Sequence, residues 1–154
     1  MNAEDKKKIA EIMEKHGVLV GYLFGSAARG TMGPYSDIDV AVFFDAQKVP
    51  EEKQFDEKLA VSSEIASAFN VENADIIILN NLTNPVLLHE SVLNGEPILV
   101  KNSEFKSRIA RFALHQYEDT RYLREISYRI LHEQIKSGQF GRASATNKRY
   151  VSVK

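Results

Sequence analysis

Two short runs of residues restrict what this chain can become. Val18 to Phe24 (VLVGYLF) is apolar without a break and ends at Gly25-Ser26. Asp37 to Phe44 (DIDVAVFF) follows after a short polar interval. A continuous apolar run of this length, closed by glycine, is consistent with a strand buried on both faces. In the second run, alternation puts Ile38, Val40, Val42 and Phe44 on one face. It puts Asp37, Asp39, Ala41 and Phe43 on the other. Two such strands need a sheet covered by other elements, which points to an α/β chain.

The covering elements are legible in the spacing. Residues 4–16 read as a helix with Ile9, Ile12, Met13 and His16 on one face and Gly17 as its stop. Ser26 to Gly30 can form the first turns of a short helix, and Gly33-Pro34 makes 31–36 a loop. Residues 51–69 read as a helix with the stripe Phe55, Leu59, Ser62, Ala66 and Phe69. Residues 74–79 (ADIIIL) read as a strand. Residues 83–94 suit a helix with Pro85 in its first turn and Gly95 as a stop, and a short strand at 97–100 follows.

Residues 104–136 form one long helix or two broken ones. The stripe is Phe105, Ile109, Phe112, Ala113, Tyr117, Leu123, Ile126 and Ile130. Unbroken, it would be about 50 Å long, at about 1.5 Å per residue. That exceeds what a small body needs, so part of it is expected to face a partner; a bent helix wrapping its own domain is the alternative. No acid follows Glu133, whereas Lys136, Arg142, Lys148, Arg149 and Lys154 remain. Residues 137–154 are therefore expected to be a flexible basic tail, or else a basic arm for a partner.

Composition removes several classes of function. The 154 residues fit one domain with a substantial core. Zero cysteines exclude disulfides, zinc–thiolate sites and thiol nucleophiles, and suit the cytoplasm. The formal net charge of −1 gives no global attraction to nucleic acid, so no direct nucleic-acid binding is expected. No apolar run is long enough for a bilayer, so no membrane is expected. The charged start, MNAEDKKKIAEIM, lacks the apolar core of a signal peptide.

The chemistry lies in the same two runs. Asp37 and Asp39 share a strand face with α-carbons about 6.5–7 Å apart, and their charges repel unless something compensates. A divalent cation does so, and ligands that are all oxygen suit magnesium. By itself such a pair is more often a solvated strand edge. Gly25 lets the backbone approach a phosphate, and the helical turn after it directs free N–H groups at an anion. Ser26 adds a hydroxyl donor, although it could simply cap a helix. Arg29 could touch phosphate or be solvated. No P-loop pattern is present. Asp75, opening the third strand, is the best candidate for the third carboxylate of a two-metal site, against the plain reading of a polar strand start. Glu72 and Asp45 are weaker rivals because they fall in loops. In such a site Asp37 and Asp39 bridge the metals that hold a triphosphate, and Asp75 holds the second metal and orients or deprotonates an attacking hydroxyl.

The arrangement Gly25-Ser26, ten intervening residues, then Asp37-Ile38-Asp39, with Asp75 on a later strand, resembles the nucleotidyltransferases of the DNA polymerase β superfamily. The fuller strings Gly25-Ser26-Ala27-Ala28-Arg29-Gly30 and Ser36-Asp37-Ile38-Asp39-Val40 are similar to the minimal nucleotidyltransferases (MNT), antitoxins paired with HEPN-domain toxins. Tyr117-Glu118-Asp119-Thr120 with Leu123-Arg124, and Ile135-Lys136-Ser137-Gly138-Gln139-Phe140-Gly141, resemble the C-terminal helix and tail of such antitoxins. The resemblance implies a small mixed β-sheet flanked by helices, with a long C-terminal helix. It implies a nucleotidyltransferase core over 1–103 with a partner-docking helix over 104–136; it gives no counterpart for the end of the tail, beyond Gly141. The implied reaction transfers AMP from ATP to a tyrosine of the HEPN toxin, using two Mg²⁺ ions and releasing pyrophosphate, within a hetero-oligomer. Two other readings stand beside it: an antitoxin that neutralises by binding alone, and a transferase acting on a small molecule such as an aminoglycoside. The complete Gly-Ser and three-aspartate set disfavours the first of these. The absence from the sequence of a further helical domain disfavours the second.

Overall fold

The structure, a computed structural model, describes residues 1–28 and 37–141. The chain divides into two compact units, Met1–Glu118 and Asp119 onward.

The first unit is built on a four-stranded sheet in the order β3-β2-β1-β4. Strand β1 (Val18–Phe24) is antiparallel to both β2 (Ile38–Phe44) and β4 (Glu96–Val100), and β3 (Ala74–Ile78) lies parallel to β2. The mixed sheet expected from the resemblance is therefore present. The two runs that read as buried strands are its two central strands.

Helices cover both faces. Helix α1 (Ala3–Lys15) begins with a capping box: Asn2 Oδ1 accepts from the Asp5 N–H at 2.8 Å, and Asp5 Oδ2 accepts from the Asn2 N–H at 3.1 Å. It buries Ile9, Ile12 and Met13 and stops at Gly17, whose φ is +77°. Met13 can lie flat on β1 because Gly21 is there; a Cβ on Gly21 would sit 2.3 Å from Met13 Sδ. Helix α3 (Glu51–Phe69) covers the same face and ends on Asn70 in the left-handed region, φ 50°. Val40, Val42, Ile38 and Phe44 pack here with Ile9, Met13, Val61 and Ile65.

The expected stripe on α3 needs correction. Phe55 is 61% exposed and Leu59 51%; the residues that α3 buries are Gln54, Val61 and Ile65. Phe69, at the far end of that stripe, does pack against the core.

The opposite face is covered by α4 (Pro85–Val92) and α5 (Ser103–Asp119). Asn84 caps α4 by accepting from the Val86 and Leu87 N–H groups at 3.0 and 3.1 Å, with Pro85 in the first turn as expected. Phe43 meets Phe105 of α5 edge to face, with ring centroids 5.4 Å apart. Ile109 and Ala113 continue this contact against Leu88 and Val92. Between the sheet and these helices, β1 changes register between Val18 and Val20. A bulge of this kind turns side chains over, so Val18 faces α1 whereas Val20 and Tyr22 face α4 and α5.

Residues 104–136 form two helices rather than one, with Thr120 between them outside helical geometry (φ −93°, ψ 2°). The second unit carries α6 (Arg121–Lys136), which buries none of its side chains. Its first turn is held by a hydrogen bond from the Arg124 guanidinium to Thr120 Oγ1. Most of the tail, 142–154, lies outside the described residues, and no helix is long and apolar enough to cross a membrane among those described.

Candidate active site

Three strand ends meet at one edge of the sheet. Phe24, the last residue of β1, pairs with Asp39 near the start of β2. Asp39 pairs in turn with Asp75 near the start of β3. Neighbouring strands lie about 4.8 Å apart, so these two carboxylates project side by side. Their face is the one that carries Ala41 and Phe43 towards α4 and α5. Asp37 is exposed one residue before β2, where strand alternation continues the same face.

Gly25 follows β1 directly and opens α2 (Gly25–Ala28). Its φ is +65°, in the region that favours glycine. A Cβ placed on it would lie 2.1 Å from Asp39 Oδ2. The Asp39 carboxylate thus rests over the bare backbone of Gly25. The Gly25-Ser26 turn and the Asp39 carboxylate are one structure here, although ten residues separate Ser26 from Asp37 in sequence. Ser26, half-buried, is the next residue of that turn. Arg29 lies outside the described residues, as does the loop that follows it.

The rivals for the third carboxylate are separated by position. Asp45 follows the far end of β2, where its Oδ1 accepts from the Gln47 N–H at 3.1 Å, six residues along the chain from Asp39. At about 3.3 Å per strand residue that is roughly 20 Å away. Glu72 is exposed in the loop before β3 and has no partner position on β2. Asp75 alone of the three is in register with Asp39.

Among the described residues, no group of three or more His, Cys, Asp or Glu side chains is gathered closely enough to hold a metal ion. The carboxylates are neighbours by strand register without forming a closed cage. As an all-oxygen donor set they nonetheless fit a hard divalent cation such as Mg²⁺. Tyr22, on the same face and two residues before Phe24, is fully buried. Burial pushes its phenol up to about 12, so it is a neutral packing group and no proton acceptor at ordinary pH. The contact between Gly25 and Asp39 was not legible beforehand; the only signal for it was a glycine placed where a strand ends.

Residues 7–104 match the polymerase beta nucleotidyltransferase family, a span that takes in all four strands. No curated protein matches. Several solved structures share the fold. One is a toxin–antitoxin crystallised with AMP-PNP, at 22% identity and TM-score 0.68, over 82% of this chain and 98% of that one. Another is the toxin–antitoxin MntA–HepT, at 18% identity and TM-score 0.65, over 85% and 99%. A third is a variant of that pair with two aspartates exchanged for glutamate, at 19% identity and TM-score 0.71, over 86% and 99%. With the family match extending over residues 7–104, which include Gly25, Asp37, Asp39 and Asp75, this chain belongs to the polymerase beta nucleotidyltransferases.

Proposed function

We propose that this protein is the antitoxin of a toxin–antitoxin pair, and that it transfers AMP from ATP to a tyrosine of a HEPN-domain toxin. The observation that carries the reading is the register Phe24–Asp39–Asp75, with Gly25 bare beneath the Asp39 carboxylate. That arrangement suits a metal-bound triphosphate, and a protein that only binds its partner has no use for it. Likeness of fold to toxin–antitoxin structures, one of them holding AMP-PNP, supports the biological setting.

Asp37, Asp39 and Asp75 would hold two Mg²⁺ ions, which supply neutralisation of the triphosphate and acidify the attacking hydroxyl. The Gly25 and Ser26 N–H groups and the Ser26 hydroxyl donate to the phosphates, and Arg29 adds positive charge. Asp75 orients the tyrosine hydroxyl and takes its proton. The phenolic oxygen then attacks the α-phosphorus, the bond to the α–β bridging oxygen breaks, and pyrophosphate leaves. AMP on that tyrosine disables the toxin.

The acceptor comes with the partner, as the pairing of an antitoxin with its toxin implies. The 104–136 segment is the docking surface. Its second helix displays Tyr122, Leu123, Tyr128 and Ile135, all exposed. The 137–154 tail adds basic charge, and the pair assembles as a hetero-oligomer in the cytoplasm.

The test combines the protein with α-labelled ATP, Mg²⁺ and the product of the adjacent gene. Label moves to the partner, and Asp37→Asn or Asp39→Asn stops it. Unchanged transfer by both variants would overturn the site. Full neutralisation of the partner without nucleotide would make this a binding-only antitoxin.

A further inference from the structure

The far end of the sheet holds a second organised cluster of charge, at the junction of α1 with α3. His16, the C-terminal cap of α1, has a side chain only 14% exposed. Its Nδ1 lies 2.7 Å from Glu57 Oε2 and its Nε2 lies 2.8 Å from Glu64 Oε2. Glu57 and Glu64 are seven residues apart, two turns along one face of α3, so the ring is gripped from both ends. Lys15 bonds both oxygens of Glu64 at 2.9 and 3.0 Å. Glu14, which pairs with Lys101 at 2.9 Å, and Lys48 line the same recess as His16 and Glu57.

A neutral imidazole has one N–H and one lone pair. Carboxylate oxygens at hydrogen-bond distance from both nitrogens are satisfied only when both nitrogens donate, which requires the imidazolium. We propose that His16 is a proton-dependent clasp, fastening the end of α1 to α3 while doubly protonated and releasing it when one proton is lost. On release one nitrogen turns a lone pair towards a carboxylate, and Glu57 and Glu64 lose the cation between them. The titration agrees in direction. Burial alone would lower the His16 pKa, but the hydrogen bonds it donates to Glu64 and Glu57 outweigh that and raise it above 6.5.

A folded pKa raised above the unfolded value gives stability that is complete below about 6.5 and is lost as pH rises through the folded value. Glu64 works in the other direction. Its hydrogen bonds from His16 and Lys15 lower its pKa, so its contribution is present above 4.5 and is lost as pH falls through the lowered value. The clasp is therefore closed between the two limits. It lies at the opposite end of β1 from Gly25, so its opening is read in α1 rather than in nucleotide binding.

The experiment is nuclear magnetic resonance on the intact protein. At pH 6 both ring nitrogens of His16 carry protons. The amides of His16 and Gly17, which donate to Ile12 and Glu14 carbonyls, are followed by hydrogen exchange as pH rises. Between 6.5 and the folded pKa their exchange rises by up to about tenfold per pH unit beyond the ordinary base-catalysed increase. In His16→Gln that excess disappears. Glu64→Gln keeps the histidine and lowers its titration midpoint, which serves if the first variant folds poorly. One bare ring nitrogen at pH 6, or the same exchange slope in wild type and His16→Gln, would overturn the clasp.

Discussion

Gly25 is an exacting position. Its φ of +65° is unfavourable for any side chain, and a Cβ would come within 2.1 Å of Asp39 Oδ2. In Gly25→Ala either the turn or the carboxylate must move. The left-handed conformation alone costs about 1 kcal/mol. Displacing the site by about 1 Å costs on the order of 100-fold in rate. A transfer assay with labelled ATP should show the large loss, and a thermal melt the small one; full activity in a stably folded Gly25→Ala would separate the turn from the chemistry. Asp39 stood out as a candidate from the Asp-x-Asp alternation only when that was joined to Gly25-Ser26. Asp75 was legible only as the better of several carboxylates, because strand partners and their register are long-range facts. Had β3 slipped by one residue, Asp75 would point to the other face.

At the scale of elements, the apolar runs identified β1 and β2 well because a buried strand has no polar face to misplace. Helix α3 shows where that reasoning fails. Its residues offer two candidate stripes, and helical spacing favours the aromatic Phe55 as readily as Val61. Which stripe is buried depends on where β3 and α1 lie, and that is decided outside the helix. Ile65 and Val61 are fully buried against the sheet, while Phe55 stays exposed near the helix start. Ile65→Ala should therefore cost about 2–5 kcal/mol, whereas Phe55→Gln should stay within about 0.5 kcal/mol. Urea unfolding of the two variants measures both, and equal losses would restore the aromatic stripe. Gly21 carries a related message hidden within an apolar run. With a Cβ only 2.3 Å from Met13 Sδ, Gly21→Ala must push a flexible side chain aside, at a cost of about 1–3 kcal/mol. Met13→Ala in the same background should recover part of that loss, read again in urea.

For the whole molecule, acid should act through paired carboxylates on the helical face opposite the candidate site. The hydrogen bond from Lys101 holds Glu14 below its usual range, and those from His16 and Lys15 do the same for Glu64. Both were bound in a lowered state on folding, so both contribute stability above 4.5 that is lost as pH falls through their folded values. Lys101→Met should flatten the acid limb of a melting curve taken against pH, and an unchanged limb would remove Glu14 from the account. The larger question is what the second unit does. The sheet, both core clusters, α1 to α4 and the packed part of α5 all lie within Met1–Glu118, together with Gly25, Asp39 and Asp75. Helix α6 buries no side chain of its own, yet an isolated helix of 16 residues is marginal in water. A sequence can display the apolar stripe of such a helix but not what covers it, which is why 104–136 read equally well as a wrap around the core or a docking arm. If the docking arm is right, a chain ending at Glu118 loses little of its fold. Its melting temperature should stay within about 4 °C of the full chain, the shift expected for roughly 1 kcal/mol in a domain of this size. It should still bind ATP with Mg²⁺, and should fail to label the partner because the acceptor no longer docks. Calorimetry and the labelling assay together decide it. Unfolding of the shortened chain would place α6 in the core, and undiminished labelling would move the docking surface elsewhere on the first unit.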